Sequence, residues 1–132
     1  MFSIAKEALP LIAHYELLPT GSNGELDLYA VIITDFRFIS SDCISITMRH
    51  DGYYSSNNKE ITFEIKNIFG VIELRDIFCE PSFGLEIERY INTLQIRMAS
   101  LTKDYTILKI KAKFVDVVKC ESFNNNIIPF SE

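Results

Sequence analysis

From residue 26 onward the chain alternates apolar and polar positions with a period of two. Residues 26–34 read LDLYAVIIT, an apolar-rich run suited to a strand buried on both faces, and Phe36 and Phe38 extend it past Asp35. Ile44, Ile46 and Met48 alternate with Ser45, Thr47 and Arg49. Ile61, Phe63 and Ile65 alternate with Thr62, Glu64 and Lys66; Ile72 and Leu74 alternate with Glu73 and Arg75. Leu85 and Ile87 alternate with Glu86 and Glu88, and Leu94, Ile96 and Met98 with Gln95 and Arg97. Successive strand residues point to opposite faces, so each run predicts a half-buried strand. The last run is the longest: Leu108, Ile110, Ala112 and Phe114 face one way, Lys109, Lys111 and Lys113 the other. Val115, Val117 and Val118 break the alternation near Asp116, which predicts a β-bulge there.

Before residue 26 the pattern differs. Ser3 is placed to cap a short helix over residues 4–9, ended or kinked by Pro10. Residues 11–18 are apolar apart from His14 and Glu16 and fit either a helix or an extended arm. Residues 19–24, PTGSNG, form the clearest loop, and residues 81–84, PSFG, read as a turn. The tail around Asn124–Asn126 is polar, with an apolar segment after it that could tuck back onto the body. About seven strands at a spacing of ~8–12 residues, with no helix between them, predict a mainly β fold: an antiparallel β-sandwich or strongly curved sheet with a short N-terminal helix. Residues 1–132 read as a single domain.

Charge and cysteine narrow the classes. The chain is 48% hydrophobic with a net charge of −5, which excludes low-complexity disorder and argues against a nucleic-acid binder or a partner on anionic lipid. Residues 1–100 carry a net −6 and residues 101–132 a net +1. An acidic body steers a basic partner; it also simply keeps a small domain soluble. Charges interrupt every apolar stretch before ~18 residues, so no transmembrane helix is expected. Glu7 and Pro10 interrupt any signal-peptide core. Cys43, Cys79 and Cys120 are odd in number, widely spaced and beside apolar runs, which predicts reduced, buried thiols in a cytoplasmic protein.

Catalytic signatures are missing from the sequence: no phosphate loop, no dinucleotide fingerprint and no nucleophile elbow. His14 and His50 stand alone, without metal-ligand spacing, so no metal and no cofactor is expected. Cys43 and His50 lie seven residues apart on one expected strand, roughly 23 Å at ~3.3 Å per residue, too far to act as a couple. Glu86 and Glu88 share a strand face about 7 Å apart, a spacing that could serve acid–base chemistry on a sugar. The same pattern marks any solvated strand face, and if the strands are neighbours these acids pair with the lysine row. Tyr53 and Tyr54, flanked by His50 and Asp51 in a polar connection, are the best binding feature, because tyrosine offers large contact area at small entropy cost. One of the two could instead fold back onto the sheet.

The run ITFEIKNIFGVIELRDIF over residues 61–78, in which one strand leads into an N-I-x-x-V-x-E-L-x-D strand, is similar to small bacterial immunity proteins of polymorphic and contact-dependent toxin systems. The likeness continues in KAKFVDVV over residues 111–118 and covers roughly half the chain. The resemblance implies a non-catalytic, stoichiometric inhibitor made in the cytoplasm, whose partner is a cognate protein toxin such as a basic nuclease domain. The expected contact surface combines Asp51, Tyr53 and Tyr54 with Glu73, Asp76, Glu86 and Glu88, on a monomer or small homo-oligomer. Two other classes stay open: a structural or assembly module of a viral or secretion apparatus that associates through exposed strand edges, and a glycan hydrolase using Glu86 and Glu88.

Overall fold

A computed structural model describes residues 4–19, 28, 30–50, 58–78 and 80–122. The expected Ser3 cap, the 20–24 loop, Asp51, Tyr53, Tyr54, Cys79 and the tail beyond Ser122 lie outside the described residues. The strands are β1 (Ile12–Ala13), β2 (Val31–Ser40), β3 (Cys43–His50), β4 (Lys59–Lys66), β5 (Gly70–Leu74), β6 (Ser82–Tyr90), β7 (Thr93–Ser100), β8 (Thr106–Ala112) and β9 (Phe114–Ser122). The alternations from residue 44 onward are strands, so the mainly β, antiparallel fold stands; of the run expected over 26–34, β2 takes up residues 31–34, residues 26, 27 and 29 lie outside the described residues, and the strand is buried at Val31 and Ile33 but not on both faces throughout.

Pairing runs in the order β1-β9-β4-β3-β2-β6-β7-β8-β5. The link between β2 and β6 is one register pair, Val31 with Ser82. The ladder therefore works as two sheets, β1-β9-β4-β3-β2 and β6-β7-β8-β5, packed sandwich-fashion without closing into a barrel. Their inward residues meet in one cluster that includes Ile46, Met48 and Phe63 from one sheet and Ile87, Ile96 and Ile110 from the other. Register explains the core: Ile44 faces Ile65, Ile46 faces Phe63 and Met48 faces Ile61, all buried. On the opposite face Thr47 and Thr62 share a hydroxyl hydrogen bond of 3.0 Å and Arg49 bonds Glu60 at 3.0 Å.

The long last strand does not run straight. It divides at Lys113 into β8, which belongs to one sheet, and β9, which belongs to the other. Its partner turns the same corner: the Lys113 amide donates to the Lys66 carbonyl at 3.3 Å, and the Phe69 amide to the Lys111 carbonyl at 3.0 Å. A two-stranded ribbon thus passes from sheet to sheet, β4 with β9 and then β5 with β8. The bulge expected near Asp116 falls at Val118, which has no register partner between Val117–Phe63 and Lys119–Thr62. The expected turn at 81–84 is instead the start of β6. Gly84 there has φ 120°, its amide accepted by the Ser82 hydroxyl oxygen at 2.9 Å, and the register shifts between Ser82 and Leu85.

The N-terminal helix is a 3-10 helix over Lys6–Leu11, with Pro10 inside it rather than ending it, and its N-cap residue is Ala5. It is the middle of an arm that crosses between the sheets. Ile4 bridges Ile87, and the Ala5 amide donates to the Ile87 carbonyl at 2.9 Å. β1 then pairs parallel to β9, Ile12 with Val115, and a 3-10 turn over Tyr15–Leu17 packs on β9. Ala8, Ile12 and Leu18 of this arm are buried in the common core.

Candidate functional site

β5 is the last strand of its sheet, and its other edge has no partner strand among the described residues. Along it and beside it stand Phe69, Val71, Ile72, Leu74 and Phe78, each between 40% and 54% exposed. The sequence folds this way because β5 follows the corner at residues 67–69: Asn67 takes φ 55° and the Ile68 amide donates to the Asp42 carbonyl at 2.9 Å. That bond ties the β2–β3 turn, with exposed Phe38 and Ile39 just before it, to the start of the β5 edge. A register shift between Val71 and Glu73 leaves Ile72 as the extra residue. Bulges are devices that re-aim side chains at sheet edges.

The expected contact acids fall into two groups. Glu73 sits on β5, half-buried, opposite Lys109. Asp76 lies just beyond β5 at φ 51° and accepts a 2.9 Å hydrogen bond from the Tyr105 hydroxyl. The Arg75 guanidinium lies 3.9 Å from the centre of the same ring. Desolvation above all, then the hydrogen bond to Asp76 and the charges of Asp76 and Glu80, push the Tyr105 phenol up to about 12, against the opposing pull of Arg75. Glu80 is held nearby by Lys103 at 3.1 Å and by the Thr102 hydroxyl at 3.0 Å.

Glu86 and Glu88 lie on the far strand, β6. The register places Glu86 opposite Arg97, Arg97 opposite Lys109, and Lys109 opposite Glu73. The acid and lysine rows are therefore not neighbours, as the sequence pattern allowed: β7 separates them and supplies Arg97, which bonds Glu86 at 2.6 Å. Glu86 and Glu73 end one transverse row, about 14 Å apart at three strand spacings. Glu88 accepts a 2.7 Å bond from the Tyr90 hydroxyl, so the two β6 carboxylates hold separate partners. The fold thus joins Glu73 and Asp76 to the β5 edge and sets Glu86 and Glu88 apart from it.

The lone histidines and the cysteines are also placed. Cys43 and His50 occupy opposite ends of β3, as their spacing requires, and His50 is buried with its ring 3.2 Å from the Lys59 carbonyl. Burial pushes the Cys43 and Cys120 thiols up, away from the reactive thiolate. His14, at φ 61°, lies 2.9 Å from Asp116, whose carboxylate also reaches Lys66 at 3.7 Å. Among the described residues no group of three acidic, histidine or cysteine side chains is disposed to hold a metal ion. No described helix is long and apolar enough to cross a membrane.

Sequence reasoning missed the apolar members of the β5 surface. Phe69 and Phe78 flank the strand in the sequence, but alternation alone gives Ile72 and Leu74 an inward face. No protein family, curated protein or solved structure matches the chain.

Proposed function

We propose that this chain is a non-catalytic binding protein that engages a protein partner along β5, and that its particular role is that of an immunity protein neutralising a cognate toxin in the cytoplasm. One observation carries the binding reading: five large apolar side chains are exposed on and around a strand edge that has no partner strand among the described residues. Apolar clusters of this kind, rimmed by charge, mark interaction sites, and natural proteins otherwise protect such edges with lysine, proline or a covering segment. Glu73 and Asp76 supply the acidic rim, in keeping with a net charge of −5 that favours a basic partner. The resemblance of residues 61–78 to immunity proteins lies on β4 and β5 themselves, which supports the finer role.

The test is co-expression with the product of a toxin-like reading frame beside this gene. Co-purification in equal amounts, together with restored growth of cells making the toxin, is expected. Growth arrest undiminished by this chain and no complex would refute the role. The same open edge favours a second reading, an assembly module that associates with itself; light scattering separates the two, because a stable monomer counts against self-assembly.

A further inference from the structure

We infer that the β5 edge takes its partner by strand addition, accepting an extended segment of another protein in which apolar residues alternate with basic ones. This rests on the protein-binding reading above and specifies how the site works. The arrangement of the other edges carries the inference. Ile4 and Ala5 cover β6 at Ile87, and β1 with the Tyr15–Leu17 turn covers β9. The chain thus uses its N-terminal arm to occupy edges on both sheets, while β5 keeps one side unpaired among the described residues. Added strands gain affinity from main-chain hydrogen bonds and specificity from alternate side chains.

The chemistry of the incoming segment follows from the strand that β5 already accepts on its paired side. That strand is β8, whose Lys109 lies opposite Glu73 and whose Ile110 lies opposite Val71. Glu73 lies opposite Lys109 in register but forms no ion pair among the described residues, so its carboxylate is available to a cation on an incoming strand. Val71, Ile72 and Leu74, all exposed, offer apolar contact to the alternate positions, and Phe69 and Phe78 bound the site at its two ends.

The probe is a capped synthetic peptide carrying residues 105–113 of this chain, YTILKIKAK, as a free apolar/lysine strand. Titrated into the 15N-labelled full chain, it should shift the amides of residues 69–74 and leave those of β7 in place. Glu73→Lys should weaken it about tenfold and confer binding of the same peptide with its lysines replaced by glutamate, since like charges directly opposite repel. Glu73→Gln, a milder change, should give an intermediate loss. Shifts elsewhere than β5, no binding at millimolar peptide, or an affinity indifferent to both Glu73 variants would overturn the inference. So would a concentration-dependent doubling of mass that Ile72→Lys abolishes, because a second copy would then own the edge. A toxin complex that survives Ile72→Lys would remove strand addition at β5 and leave the binding role standing; a wild-type chain that takes the peptide but no toxin would do the reverse.

Discussion

The Tyr105 hydroxyl donates to Asp76 across 2.9 Å, which fixes the chain just beyond the β5 edge. Asp76 has a positive φ, and Arg75 is held over the Tyr105 ring, so both ends of the contact depend on one another. In a spectrophotometric titration of the tyrosines, one phenol should ionise near 12. Asp76→Asn should lower that value, because the carboxylate's acceptance and charge both favour the protonated phenol. The raised value means that the unfolded chain loses this proton first, so folding weakens as pH rises above about 10. Asp76→Asn should reduce that alkaline loss.

The arm carries a second titrating contact. The hydrogen bond to Asp116, then its charge, raise the His14 imidazole above its ordinary 6.5, with Glu16 adding to the effect. Lys66 and Glu64 share the Asp116 side, and neither belongs to the arm. A folded value above the unfolded one places this stabilisation in full below about 6.5 and removes it as pH rises through the higher folded value. Melting temperature should therefore fall across that window, and His14→Asn should flatten the fall.

Ile91 is the first residue of the β6–β7 turn, with φ 60° and 87% exposure. Left-handed backbone costs an ordinary residue about 1–2 kcal/mol, and glycine is the favoured residue at the first position of hairpin turns of this hand. Ile91→Gly should stabilise the protein by about 1 kcal/mol in urea denaturation. Phe63, by contrast, is buried between facing strands. Phe63→Ala should cost about 3–5 kcal/mol, whereas Phe38→Ala, at an exposed position, should change stability by no more than about 0.5 kcal/mol.

These contrasts show which parts of the molecule the sequence makes legible. The alternations at Ile44–Met48 and Leu94–Met98 name strands and their inner faces, because a sheet with one wet face repeats every two residues. At the corner the inward phase inverts, from buried Ala112 to buried Val115 with Lys113 and Phe114 between them; the sequence shows this only as valines out of step after Phe114, which reads equally as a bulge within one straight strand. β1 is two residues long, too short to leave a period. Whether a strand has neighbours on both sides is a property of the whole sheet, so Ile72 and Leu74 carry the signature of a half-buried strand and stand exposed at its edge. The separation of Glu86 from the lysine row has the same origin, since nothing local to β6 or β8 records that β7 lies between them.

The most direct test is the affinity of the chain for the toxin proposed as its partner, measured by calorimetry for the wild type and for Ile72→Lys. Ile72 is half exposed, so the variant should melt within a degree or two of the wild type. A loss of at least about 30-fold in affinity, the scale of an interface hot spot, is the expected result. An unchanged affinity in the folded variant would contradict the assignment of β5 as the contact edge.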